Sequence, residues 1–213
     1  MAYDLQEQEQ LDELKAWWKD YGRLVLLGVA LGAVAVAGFQ GWRYYRHTQS
    51  LAAAALYEQL EQAERAGDRK KVRDIAGGVV ANYASTPYAS FAALSAARAS
   101  FDEGDLTEAK ARLTWVVENA RREELRDVAR LRLAGVLLDE KSYEEALKVL
   151  ETKPADSMNA LYADLRGDIL LAQGKHAEAR NAYQLALDRT EAGSAYRATV
   201  QLKLDSLGEP KSP

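Results

Sequence analysis

A chain of 213 residues, 48% hydrophobic and 28% charged, is long enough for one folded domain of ordinary size and one further segment. A net charge of -4 argues against the clustered basic face of a nucleic-acid binder, and the absence of cysteine excludes disulfides, thiolate metal sites and thiol nucleophiles. Only four prolines interrupt a chain rich in alanine, leucine, glutamate and arginine, which points to helix throughout.

The first element is an amphipathic arm. Leu11, Leu14, Trp17, Trp18 and Tyr21 recur at helical spacing beside Asp4, Glu7, Glu9, Asp12, Glu13 and Asp20, predicting a helix from about Asp4 to Asp20. Such a helix lies along a membrane surface or docks on a protein. Acidic headgroups repel its polar side, so a protein partner competes well with lipid for it.

"LVLLGVALGAVAVAGFQGWRYYR" follows, from Leu24 to Arg46. No charged or strongly polar residue falls between Leu24 and Phe39, and continuing to Trp42 reaches the roughly 20 residues that span about 30 Å of hydrocarbon at about 1.5 Å per residue. Trp17, Trp18 and Tyr21 rim one end and Trp42, Tyr44 and Tyr45 the other, the amphipathic rings that settle at headgroup depth. Arg23, Arg43 and Arg46 can extend their charged heads into the interfaces. The rival is a cleaved secretion signal, since Ala33-Val34-Ala35 and Ala35-Val36-Ala37 fit the small-residue cleavage pattern. The acidic arm is a poor leader for such a signal, which favours an uncleaved anchor. Lys15, Lys19 and Arg23 against Arg43 and Arg46 lean the amino terminus towards the inside by a thin margin. Gly28 and Gly32 make a small-xxx-small face suited to close approach of another membrane helix, although glycine is also frequent in membrane helices without that role.

Beyond Trp42 no glycine or proline appears until Gly67, and "SLAAAALYEQLEQAERA" predicts that the helix runs on as a stalk. A repeat then emerges: "GDLTEAKA" at Gly104, "KSYEEALK" at Lys141 and "GKHAEARN" at Gly174, with "GDRKKVRD" at Gly67 as a degenerate copy. Periods of about 34 residues mean stacked helical hairpins. Twelve residues before Ala109, Ala146 and Ala179 stand Ala97, Ala134 and Gly167, small residues where two hairpin helices must approach. One turn after each alanine come Leu113, Leu150 and Tyr183, large groups on the same face. This code resembles the tetratricopeptide repeat, with three good copies over 90–122, 127–156 and 160–193. The segment from Leu60 to Asn82 fits weakly, because Leu60 and Val72 replace the small residues and Gly77-Gly78 is expected to shorten its second helix.

The expected fold class is therefore all-α, a single amino-terminal transmembrane helix followed by a tetratricopeptide-repeat α-solenoid. Its parts are an amphipathic arm over 1–22, the transmembrane helix over 23–46, a stalk with a degenerate repeat over 47–86, the repeat domain over 87–207 and a flexible tail over 208–213.

Tetratricopeptide domains that clamp a terminal carboxylate use Lys and Asn side chains. The resemblance places Phe91, Leu94, Val128, Leu131, Leu161 and Asp164 at most of those positions, so no such clamp is expected. The candidate partner groove is Phe91, Leu94, Arg98, Phe101, Asp102, Leu131, Leu138, Asp139 and Asp168, a mixture suited to an apolar or amphipathic segment. Each of these residues taken singly is equally at home packing the superhelix.

Chemistry is otherwise sparse. His47 and His176 lie far apart in sequence, and Asp102, Glu103, Asp105, Asp139 and Glu140 fall at helix ends where capping explains them. With no phosphate-cradling loop, metal spacing or nucleophile elbow, no catalytic, cofactor-binding or metal residue is expected, and the chain does not have the pattern of an enzyme.

The arm "LDELKAWWKDYGR", the glycine-rich span, the exit "GWRYYR" and the carboxy-terminal repeats together resemble the YfgM family, the ancillary subunit of the bacterial Sec translocon. That resemblance implies a single-pass inner-membrane protein in contact with membrane lipid, its amino terminus cytoplasmic and its repeats periplasmic. It implies association with Sec translocon subunits and a membrane-anchored periplasmic chaperone, to which emerging proteins are passed or tethered. It also implies restraint of a cytoplasmic stress-response regulator through the arm. The alternative is an envelope or cell-division scaffold that binds no clients, which the repeats alone do not separate from the first.

Overall fold

The computed structural model describes residues 2–208, with side chains over 11–208, and every regular element among them is helical. The tail expected over 208–213 lies, apart from Gly208, outside the described residues, as do the acidic side chains at Asp4, Glu7 and Glu9. The chain divides into two units, Met1–Gln49 and Ser50–Pro213, and helix α1 (Ala2–Arg65) contributes to both.

In the first unit α1 carries an 18-residue window of mean hydropathy 2.0, none of it buried, on a helix long and apolar enough to cross a membrane. Leu24, Leu31, Val34 and Phe39 are all exposed, an apolar surface that water penalises by about 25 cal/mol per Å². The rims are locally ordered. Trp17 and Tyr21 stack with centroids 5.9 Å apart, and Trp18 lies over Gly22, where a Cβ would sit 3.2 Å from the indole. At the other rim the Arg46 guanidinium lies 4.8 Å from the Trp42 ring centroid and that of Arg43 5.8 Å from Phe39, cations on aromatic faces.

In the second unit the last turns of α1 pair with α2 (Arg69–Tyr83). Three more hairpins follow: α3 (Pro87–Asp102) with α4 (Leu106–Asn119), α5 (Glu123–Asp139) with α6 (Tyr143–Val149), and α7 (Asn159–Ala172) with α8 (His176–Asp188). Helix α9 (Ala195–Ser206) closes the array, burying Val200 and Leu204 beside Tyr183 and Leu187.

Each hairpin turns the same way because one residue per turn takes left-handed backbone: Gly67, Gly104 and Gly174 at φ of 71°, 81° and 77°, and Lys141 at 62°. Asp68 and Asp105 then cap the next helix, accepting from the backbone N–H of Lys71 and Glu108 at 3.0 Å. Ala97, Ala134 and Gly167 are buried against the partner helices with Ala109, Ala146 and Ala179. Leu113, Leu150 and Tyr183 fill the space one turn along, all nearly or fully buried.

One expectation about helix length is corrected. Gly77-Gly78 does not shorten α2, which runs 15 residues through the pair. Val72, Ala76 and Val79 on that helix are buried with Leu60 and Ala63, and this burial outweighs the glycine cost of about 1 kcal/mol per residue. The short second helix is α6, seven residues long, which gives way to an irregular stretch ahead of Pro154, a residue that cannot continue a helix. The buried Asp127 carboxylate holds that stretch by accepting from the Ala155 N–H at 2.9 Å, while the Tyr162 hydroxyl donates to the Asp127 carbonyl at 2.9 Å.

An ion-pair ladder also follows the repeat. Arg73 on α2 pairs with Glu103 in the next turn, and one repeat further on Lys110 on α4 pairs with Glu140 at 2.6 Å. Both members shift by the same register, so the weakly matching first hairpin is joined to the second as the second is to the third.

A candidate partner-binding groove

Helices α3 and α5 are the first helices of successive hairpins, and their facing sides enclose a hollow of about 440 Å³. It is lined by Ala97, Arg98 and Phe101 from α3, Leu113 from α4, and Arg132, Gly135, Val136, Leu138 and Asp139 from α5. Local sequence explains its shape: Ala97 and Gly135 put almost no bulk where the two helices face each other, while Phe101 and Leu138 wall one end. Phe101 is 40% exposed, so its ring offers apolar surface to whatever occupies the hollow. A second hollow of about 250 Å³ adjoins, lined by Glu64, Arg69, Val72, Ser95, Arg98 and Asp102 among others, with Arg98 common to both.

Four of the nine groove candidates, Arg98, Phe101, Leu138 and Asp139, therefore meet in one hollow, and Asp102 lies in the next. The other four are placed differently. Leu94 is buried in the core and Leu131 is half-buried against it. Phe91 packs on Tyr57 of α1 with ring centroids 6.1 Å apart. Asp168 is a correction: it is engaged in docking α9, accepting from the Tyr183 hydroxyl at 2.8 Å and from Lys203 Nζ at 2.7 Å. Lys203 bridges to Asp164 as well, at 2.9 Å, and the Tyr196 hydroxyl donates to Asp164 at 2.8 Å. Two carboxylates one turn apart on α7 are thus consumed by one lysine and two tyrosines.

Arg132, Gly135 and Val136 line the groove without being among the candidates, although they stand on the same helical stripe as Asp139 and the period alone marks them. Withdrawal from water, then the charge of Arg98, pulls the Arg132 guanidinium below the ordinary value. Arg98 itself reaches Asp102 only at 4.0 Å. Gly28 and Gly32 of the first unit are exposed, and a Cβ at either would meet nothing within 4 Å. Among the described residues no group of three metal-binding side chains comes together.

Stacked helical hairpins around an open groove define a tetratricopeptide-type interaction domain, and residues 15–209 match the family described as tetratricopeptide repeat-like domain. A solved structure, the MamA RS-1 ArsTM double mutant, shares that fold with a TM-score of 0.55 at 18% identity, over 73% of this chain and 86% of that one. The chain belongs to the family of ancillary SecYEG translocon subunits. It is 31% identical to the protein so named from Haemophilus influenzae and 32% identical to that from Neisseria gonorrhoeae, in each case over 97% of this chain and 100% of the relative. Identity to the Escherichia coli protein of that name is 28%, over 94% of this chain and 96% of the relative.

Proposed function

We propose that this protein is a membrane-anchored adaptor of the SecYEG translocon, without enzymatic activity, that brings emerging periplasmic proteins to a membrane-anchored periplasmic chaperone. The observation that carries the proposal is full-length similarity to ancillary SecYEG translocon subunits, combined with a helix able to span a bilayer and an open apolar groove in the repeat array. In this reading α1 is an uncleaved single-pass anchor in the inner membrane, the arm over 1–22 is cytoplasmic and the repeats are periplasmic. The groove captures apolar or amphipathic segments, and the exposed Gly28 and Gly32 face admits a translocon helix. The arm contacts a cytoplasmic response regulator. Leu11 and Leu14, exposed on the arm ahead of the aromatic rim, are the apolar groups available for that contact.

Isolation in mild detergent tests the core of this reading. Translocon subunits and a periplasmic chaperone are expected to co-purify, whereas recovery of wall-synthesis or division proteins in their place would favour the scaffold alternative. Protease added to spheroplasts should digest the repeats, and protection of 50–208 in intact spheroplasts would overturn the topology. Gly28→Ile and Gly32→Ile leave the chain's own contacts untouched, because no atom lies where the new side chains begin. Together they should lower translocon recovery several-fold while chaperone capture by the repeats persists.

A further inference from the structure

We infer that the hollow between α3 and α5 takes a segment bearing a side-chain carboxylate next to a large apolar residue, with Arg98 and Arg132 receiving the carboxylate and Phe101 and Leu138 the apolar group. The inference rests on the groove being the docking surface and names the chemistry that it selects.

Three observations carry it. Two guanidinium groups, one from each helix, line one hollow, and among the described residues Arg132 forms no ion pair, while Arg98 has only a distant one with Asp102. Like charges held in one concavity repel each other, and an anion placed between them removes that cost while gaining charge-assisted hydrogen bonds. The lower Arg132 pKa, to which Arg98 contributes, agrees with this geometry.

The apolar part lies alongside. Phe101 follows Arg98 by just under one turn and Leu138 follows Arg132 by more than one, so charge and apolar wall occupy successive parts of the same hollow. A short peptide in any regular conformation can present two adjacent or near-adjacent side chains at that spacing. Asp139 lies beyond Arg132 on α5 and lines the same hollow, where it opposes a second carboxylate.

The carboxylate is a side chain rather than a chain terminus. No lining residue carries an amide side chain of the kind that grips the backbone beside a terminal carboxylate, and the two arginines offer planar donors without such a partner.

The test uses the full chain in detergent micelles and fluorescein-labelled, amino- and carboxy-blocked peptides of sequence Gly-Ser-Glu-Leu-Phe-Ser-Gly, with Gln or Lys in place of the Glu, read by anisotropy. The Glu peptide should bind about tenfold more tightly than the Gln peptide and tighter still than the Lys peptide, with a preference that shrinks as salt rises from 0.05 M to 0.5 M. R132Q should remove most of that preference without weakening the Gln peptide, R132K should retain most of it, and R98Q should act like R132Q. Equal binding of the Glu and Gln peptides, or a preference that R132Q and R98Q leave intact, would overturn the inference while leaving the groove as a docking surface. Failure of every peptide to bind, or binding indifferent to Phe101→Ser, would overturn the groove reading together with it. A blocked peptide outcompeted at least tenfold by one with a free terminal carboxylate and no Glu would show that the arginines serve a chain end instead.

Discussion

Tyr183 occupies the space that a side chain on Gly167 would need. A Cβ built on Gly167 falls against Cε1 and Cδ1 of the tyrosine ring and 3.0 Å from its Cζ. The ring is fully buried, and its hydroxyl is tied to Asp168 at 2.8 Å, so it cannot swing away without abandoning that bond. One missing methyl group thus sets how closely α7 and α8 approach.

Gly167→Leu is accordingly expected to destabilise the array by about 1–3 kcal/mol or more, through overpacking. Thermal denaturation followed by circular dichroism on the full chain in detergent measures it. An unchanged transition would mean that α7 and α8 are not packed in this register.

Lys141 supplies the opposite case. It holds the left-handed turn position that glycine fills in the other three hairpins, at a φ of 62°. An L-residue there costs roughly 1–2 kcal/mol, partly offset by the greater freedom that glycine gives the unfolded chain. Lys141→Gly should therefore raise stability by about 1 kcal/mol, seen as a higher melting temperature or denaturant midpoint. A lower one would show that the lysine contributes contacts outweighing the strain.

Alkaline pH should release α9. Burial, then hydrogen bonding to Asp168, raises the Tyr183 hydroxyl above its ordinary value of 10.0, and burial followed by Asp164 does the same for Tyr196. Burial works against Lys203, yet Asp164 and Asp168 hold it above its ordinary 10.5. All three shifts are upward, so the stability they represent is complete below about pH 10 and is lost as pH climbs through the folded-state values. Protection factors for hydrogen exchange across 195–206, taken against the intrinsic rate at each pH, should fall above pH 10 before those in α3 to α5 do. Lys203→Met should make the same segment exchange faster already at neutral pH, since it leaves Asp164 and Asp168 facing each other uncompensated.

Phe101 and Leu138 wall the groove without filling the deepest core, since Phe101 is exposed and Leu138 half-buried. If the groove captures chaperone and clients as proposed, replacing both by Ser should weaken that capture at least tenfold in a pull-down, the scale of a hot-spot pair, while helical content stays near that of the parent. A well-folded double variant that captures at full strength would move partner binding away from the groove and make the repeats a spacer.

The class of the fold was legible in the order of residues alone, because helical hairpins repeat a local code. The turn residues at Gly67, Gly104, Lys141 and Gly174, the small residues at Ala97, Ala134 and Gly167, and the exposed span of α1 all follow from spacing and residue size over short distances. Which polar residues were already spent was not legible there. Asp168 has the composition of a groove charge, and only the arrival of α9 with Lys203 shows that it is a docking charge. Leu94 has the spacing of a groove residue and belongs to the core, while Arg132 enters the groove beside Arg98 from another helix. Gly77-Gly78 looks like a helix end until the burial of Val72, Ala76 and Val79 against α1 outweighs its backbone entropy. Periodicity fixes the face of a helix on which a residue sits, since it depends only on that helix's own geometry. Whether that face meets solvent, a core or a counter-charge depends on elements far along the chain, and only the tertiary structure decides it.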